Sequence, residues 1–181
     1  LLEGGQSSDY LEGGLGVDTL VGGVGDDRYA IDSVEDIIIE HVNQGNDTVE
    51  SQIDYQLQDY LENLTLVDDY LSTGLADNLN GTGNTVSNML YGNAGDNQLA
   101  GLEGDDTLDG SGGNDSLYGG EGNDTLLGGD DRLHLAIETY TDSDSSYEHI
   151  NSITLLEVSS NDDYLDGGLG YDVLDGGTGN D

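Results

Sequence analysis

The sequence has no cysteine, no proline, no tryptophan and no phenylalanine. Without cysteine, no disulfide can staple the fold. Without proline, a regularly stacked backbone meets no forced kink. Strong bases are almost missing too: Arg28 and Arg132 stand against 39 acidic residues. The net charge of -37 over 181 residues opposes any compact state by self-repulsion. Nothing here can neutralise a run of phosphates, so nucleic acid is excluded as a partner. An anionic membrane surface is disfavoured for the same reason, and no apolar run approaches the roughly 20 residues of a membrane span. Multivalent cations are the partner this charge requires.

A chain so acidic and so rich in glycine has the composition of a disordered one. Against that stands a regularly placed aliphatic residue. Gly101–Gly129 reads GLEGDDTLD, GSGGNDSLY, GGEGNDTLL, GG. Glycines open each nine-residue unit, an acidic residue sits sixth and a leucine eighth. Such a unit cannot bury an apolar face alone and must stack on copies of itself. Further units begin at Gly4, Gly13, Gly22, Gly83, Gly92 and Gly167. We expect the chain to be unfolded without cation and folded with it.

The repeat divides the chain into five stretches. Residues 1–30 form a repeat block. Residues 31–71 lose the glycines but keep alternating apolar runs (DIIIE, DTVESQI, ENLTLV), which read as short strands of a degenerate β-solenoid spacer. Residues 72–129 are a second block. Residues 130–157 are an insertion, with two alternating runs around a polar loop suggesting a hairpin. Residues 158–181 are a third, truncated block. Both ends cut through a repeat, so we read the chain as a fragment of a larger polypeptide.

One unit is six turn residues and three strand residues, and two units make one coil. Turns on the same edge are then 18 residues apart. Glycines at positions one, two and four allow positive φ, so that carbonyl oxygens converge. The acid at position six adds a carboxylate, and position eight points inward. An all-oxygen set of carbonyls and carboxylates between stacked turns selects Ca²⁺. Only His41, His134 and His149 could favour zinc, and none has a zinc-site spacing.

These units resemble the RTX (repeats-in-toxin) nonapeptide proteins, with GGLGVDTLV from Gly13 and GGLGYDVLD from Gly167 matching at every position. The resemblance implies an all-β fold, a right-handed parallel β-roll holding several Ca²⁺ ions in its turns. It also implies export through a type I secretion apparatus of Gram-negative bacteria and an extracellular or cell-surface location.

The expected metal residues are Asp9, Asp18, Asp27, Asp106, Asp115, Asp124, Asp131, Asp163, Asp172 and Asp181. With them come the turn residues Gly101, Glu103, Gly110, Gly112, Gly119, Glu121 and Gly167. The 18-residue spacing pairs Asp106 with Asp124, Asp9 with Asp27 and Asp163 with Asp181. The turns opening at Gly92, Gly110 and Gly128 share the other edge and set Asn97, Asp115 and Asp131 in one column, the unit at Gly128 being shortened so that Asp130-Asp131 follows GG at once. Asp18 faces a turn near residue 31 without glycines, and Asp172 has no following turn. Asn88 and Asn97 replace the acid, while Leu102 and Ser111 replace a glycine, so those turns should hold an ion weakly or not at all.

Other signals carry less. Asn-Asp-Thr and Asn-Asp-Ser sequons arise from the repeat itself. Asp142, Asp144 and Ser146 imitate the start of an EF-hand loop, but Tyr147 stands where that loop needs glycine. No nucleophile elbow, phosphate loop or HExxH is present, and no catalytic residue is assigned. Gly-Thr-Gly-Asn occurs at 81–84 and 177–180, not in stacked register, which argues against ice binding. The expected function is a calcium-binding module that folds outside the cell and supports a larger exported protein. The alternatives are the accessory region of a secreted enzyme, and a segment of a surface adhesin.

Overall fold

The computed structural model describes residues 1–68, 76–129, 135–137, 153–155, 163–169 and 171–177. Among them there are strands, turns and bends but no helix. The strands wind as a parallel β-roll. One face is an eight-stranded sheet. From its first strand, Tyr10–Glu12, it runs through Arg28–Ile31, Thr48–Ser51, Asn63–Leu66, Met89–Tyr91, Thr107–Asp109 and Thr125–Leu127 to Val173–Asp175. The opposite face is split. Leu2–Gly5, Thr19–Gly23 and Ile37–Ile39 make a three-stranded sheet. Tyr55–Gln56, Asn80–Thr82, Gln98–Glu103, Ser116–Glu121 and Tyr164–Leu169 make a five-stranded one. Successive strands thus alternate between faces through most of the chain, as the turn–strand–turn–strand grammar requires.

Register is set by the inward residue. Leu11 pairs with Tyr29, Tyr29 with Val49, Val49 with Leu64, Leu64 with Leu90, Leu90 with Leu108, and Leu108 with Leu126. Facing this column are Leu20 and Ile38, then Leu99 and Leu117. All are buried. Burying one leucine fully is worth about 1.5–3 kcal/mol, so each coil contributes a small, similar increment. Gly81 takes an inward slot where a side chain would collide with Leu64 and Leu99 (methyl carbons at 2.9 and 3.0 Å from a Cβ). Its neighbours already fill that layer.

The coils are unequal in length. Residues stacked at one edge lie 18 apart in the regular blocks, but 20 and 15 apart over the stretch after residue 27. Where the chain passes residues 130–162 they lie 48 apart. The sheets nonetheless continue: Leu117 pairs directly with Leu165 and Leu126 with Leu174. The coils before residue 130 and after residue 162 are therefore direct neighbours on both faces. Between them in sequence, Leu135–Ile137 and Ile153–Leu155 form an antiparallel pair. Residues 31–68, poor in glycine, are built into the same roll.

Candidate metal sites

Each turn ends on a polar residue two places before the inward one. These residues form a ladder along each edge. On the edge leading into the eight-stranded sheet, the Asp9 N–H donates to Asp27 Oδ1 (2.7 Å) and that of Asp27 to Asp47 Oδ1 (2.7 Å). The Asn88 N–H donates to Asp106 (2.7 Å), Asp106 to Asp124 (2.9 Å) and Asp124 to Asp172 (2.9 Å). On the other edge, Asp18 donates to Asp36 (3.0 Å), Asn97 to Asp115 (2.7 Å) and Asp115 to Asp163 (2.7 Å).

A second ladder, one residue earlier, runs the opposite way. The Asn123 N–H donates back to Asp105 (2.8 Å), Asn114 to Asp96 (2.9 Å) and Asn46 to Asp26 (2.9 Å). Two ladders of opposite sense clamp neighbouring turns together.

The ladder uses only one oxygen of each carboxylate. Oδ2 of Asp27, Asp106, Asp115 and Asp124 is buried and meets no hydrogen-bond donor. Such an atom costs about 1–3 kcal/mol, more when charged, unless something else satisfies it. Its surroundings are specific. A Cβ built on Gly101 would come closer than 3.0 Å both to Asp106 Oδ2 and to the carbonyl oxygen of Gly119, one coil further on. The same convergence occurs at Gly110 (Asp115 and Gly128), Gly119 (Asp124 and Gly167), Gly128 (Asp163 and Gly176) and Gly4 (Asp9 and Gly22). The first glycine of the unit thus leaves room for two converging oxygens. At Gly13 and Gly167 the nearest atoms belong only to Asp18 and Asp172.

Positive φ recurs at position two of the glycine-opened turns that end on aspartate, and commonly at position four, as at Gly120 (113°) and Gly122 (145°). Position one is glycine for space, which corrects the expectation that all three glycines serve conformation. Leu102 and Ser111 adopt the position-two conformation without being glycine (φ 87° and 70°).

Charge matches the geometry. Burial, and next the neighbouring Asp124, push the Asp106 carboxyl up to about 6, against backbone hydrogen bonding that lowers it. Burial and then Asp163 push Asp115 up to about 7. Asp27 and Asp124 are raised by burial as well. Among the described residues the one ion pair is Arg28–Glu50 at 3.1 Å, far too little to offset such charge. Buried anionic oxygens, glycine carbonyls and no nitrogen or sulfur donor fit a hard cation such as Ca²⁺.

The asparagine turns differ. The Asn97 amide donates to the Leu79 carbonyl and to Asn93 Oδ1 (both 2.7 Å), and its oxygen accepts from the Asn93 N–H (2.9 Å). Asn88 likewise donates to the Glu62 carbonyl and to Asn84 Oδ1 (both 3.2 Å) and accepts from the Asn84 N–H (2.7 Å). In these turns the side chain itself supplies what an ion would supply to an aspartate.

The scan against protein families supplies the name of this repeat. The RTX calcium-binding nonapeptide repeat (4 copies) matches at residues 1–29, 82–117, 91–126, 100–133 and 157–181, more than half of the chain. The chain belongs to this family. No curated protein and no solved structure matches it. The RTX matches omit residues 30–81, although the roll runs through the described part of that stretch.

Set against the sequence expectations, the structure stacks Asp106 on Asp124 and Asp9 on Asp27. It corrects the column of Asn97, Asp115 and Asp131: the residue above Asp115 is Asp163. The turn opened by Gly128 and Gly129 is completed by Asp163, whose carboxylate fills the space at Gly128. The unit at Gly128 is therefore split, not shortened. Asp172 stacks on Asp124. Asp131 and Asp181 lie outside the described residues. Gly101, Gly110, Gly119 and Gly167 each direct a carbonyl toward the glycine one coil earlier. Glu103 and Glu121 pair across neighbouring strands with exposed side chains, and the Glu121 carbonyl accepts from the Gly104 N–H at 2.9 Å. Gly112 donates its N–H to the Asn93 carbonyl at 3.1 Å. Sequence reasoning assigned no metal role to Asp36, Asp47 and Glu62, which hold ladder positions; the turns before Asp36 and Glu62 have no glycine, and that before Asp47 has only Gly45. An acid two places before an inward aliphatic residue was the available signal.

Proposed function

We propose that this chain is a module of a larger exported protein that folds when it binds Ca²⁺ outside the cell. The observation that carries this reading is the repeated buried carboxylate oxygen with no hydrogen-bond donor, set beside a carbonyl from the next coil. Without a cation these oxygens repel one another inside a chain of net charge -37. With Ca²⁺, binding free energy becomes folding free energy. Extracellular modules bind Ca²⁺ at about 10⁻⁴–10⁻³ M, which leaves such a chain unfolded in a calcium-poor cytosol and folds it after export.

In this reading the carboxylates of Asp9, Asp106, Asp115, Asp124 and Asp163 hold ions together with the carbonyls of the stacked glycines. The chain supports folding and stability of its parent and catalyses no reaction itself. A type I secretion apparatus is its partner during export. Circular dichroism of the chain with millimolar Ca²⁺ and with a chelator at neutral pH tests the reading. The β signal should appear only with Ca²⁺, and a β signal that survives the chelator overturns it.

A further inference from the structure

One cluster of side chains falls outside the nonapeptide pattern. Val21 pairs with Ile39, so Glu40 stacks on Gly22 in the slot where Gly119 stacks on Gly101. A Cβ on Gly22 would collide with Asp27 Oδ2, as in other turns, and here its nearest neighbour is the Tyr29 hydroxyl. That hydroxyl accepts the Gly22 N–H at 2.9 Å and hydrogen-bonds Glu40 Oε1. Tyr29 stands where the repeat has an aliphatic residue, and Glu40 where it has glycine.

One carboxylate oxygen from each of Asp27, Glu40 and Asp47 lies within 4.8 Å of the other two. Asp27 is 2% exposed, Glu40 9% and Asp47 1%. Asp27 Oδ1 accepts the Asp9 N–H, and Asp27 Oδ2 has no hydrogen-bond donor. Asp47 accepts the Asp27 N–H, and the second Glu40 oxygen accepts the His41 N–H at 3.3 Å. Among the described residues no ion pair answers the three charges: Arg28 pairs with Glu50 and is mostly exposed. Three buried carboxylates this close repel strongly unless a cation lies among them.

We propose that Asp27, Glu40 and Asp47 form a separate hard-cation site that takes Ca²⁺. The glutamate side chain replaces the glycine carbonyl of the repeat turns, and the Tyr29 hydroxyl holds Glu40 in place. All donors are oxygens, as Ca²⁺ requires. The coil that carries Glu40 and Asp47 is two residues longer than a repeat coil, with 20 residues from Asp27 to Asp47. Glu40 keeps the regular spacing of 18 from Gly22, so the two extra residues lie between Glu40 and Asp47.

The test is Ca²⁺ titration of the full chain by equilibrium dialysis, comparing wild type with Glu40→Gln and with Asp124→Ala. Glu40→Gln should bind one ion fewer per chain while keeping its β signal at saturating Ca²⁺. An unchanged ion count overturns the site. So does a Glu40→Gln chain that keeps its ion count and folds more readily in chelator, the behaviour of carboxyls sharing a proton. Should Glu40→Gln not fold, Tb³⁺ replaces Ca²⁺ and tyrosine-sensitised emission is compared between wild type and Tyr29→Phe. Emission should fall in the variant, and equal emission overturns the site. Wild type binding no Ca²⁺ at all would sink both this site and the proposed function. Wild type binding several ions, with Glu40→Gln losing none, would sink only this site.

Discussion

Held in chelator, the chain should gain β structure as the pH is lowered from 7.5 to about 4.5. Asp106 and Asp115 are each 1% exposed, and their carboxyls are pushed from an ordinary 3.8 to about 6 and about 7. A carboxyl whose folded value is raised stabilises the fold fully below its unfolded value, and that stability is lost as the pH rises through the folded value. At 1.36 kcal/mol for each pH unit of displacement, ionising the two costs the ion-free fold about 3 and about 4 kcal/mol. They sit on opposite edges and feel different neighbours, Asp124 and Asp105 for one, Asp163, Asp96 and Asp109 for the other. Their costs therefore add to about 7 kcal/mol, comparable with the whole stability of many domains, about 5–15 kcal/mol. Calcium reverses the sign, because the ion binds the ionised carboxylate and protons compete with it. The calcium-loaded fold should lose stability over the same interval in which the ion-free fold gains it. Circular dichroism against pH, with and without millimolar Ca²⁺, gives the two curves. Ion-free chains that stay unfolded down to pH 4.5, or a calcium-loaded fold that gains stability on acidification, would refute the assignment of buried, ion-compensated carboxylates.

Three substitutions probe the turns separately. Asp124→Ala should remove at least one bound ion in a calcium titration, whereas Asn97→Ala should remove none, because the Asn97 amide already satisfies its turn; equal losses would sink the stacking scheme. Asn97→Asp should add one ion, since a Cβ on Gly92 would meet both the residue-97 side-chain oxygen and the Gly110 carbonyl, and an unchanged ion count would show that this space alone does not make a site. Leu102→Gly should raise the urea midpoint at saturating Ca²⁺, because Leu102 holds φ at 87° at a cost of roughly 1–3 kcal/mol; the gain should be at the low end, glycine being more flexible when unfolded.

What could be read from the sequence follows from what holds the roll in register. Between Gly83 and Gly129 the unit repeats without a gap, so counting by 18 found the Asp106–Asp124 stack and separated the two edges. Counting failed wherever chain length changed while the register did not. It put Asp131 above Asp115, where the roll has Asp163, because the coils before residue 130 and after residue 162 stack directly on one another. Asp163 still carried the better signal: it lies two places before Leu165, the inward residue, and ahead of Gly167-Gly168. The same grammar, acid then outward residue then aliphatic, marks Asp36 before Ile38, Asp47 before Val49 and Glu62 before Leu64, where Gly45 is the one turn glycine.

The glycines answer a narrower need than the fold does. Coils close on the inward residue and the acid before it, as residues 31–68 do with few glycines. A glycine at position one is required where a carboxylate oxygen and the next coil's carbonyl must share one small space, as at Gly101, Gly110 and Gly119. Where asparagine supplies an amide, at Asn88 and Asn97, the glycine remains and the turn satisfies itself. Where glutamate takes the glycine's slot, at Glu40, its side chain brings a further carboxylate beside Asp27 and Asp47. The roll thus treats amide, carbonyl and carboxylate as exchangeable ways to complete a turn, and only the aspartate and glutamate versions leave an oxygen for a cation.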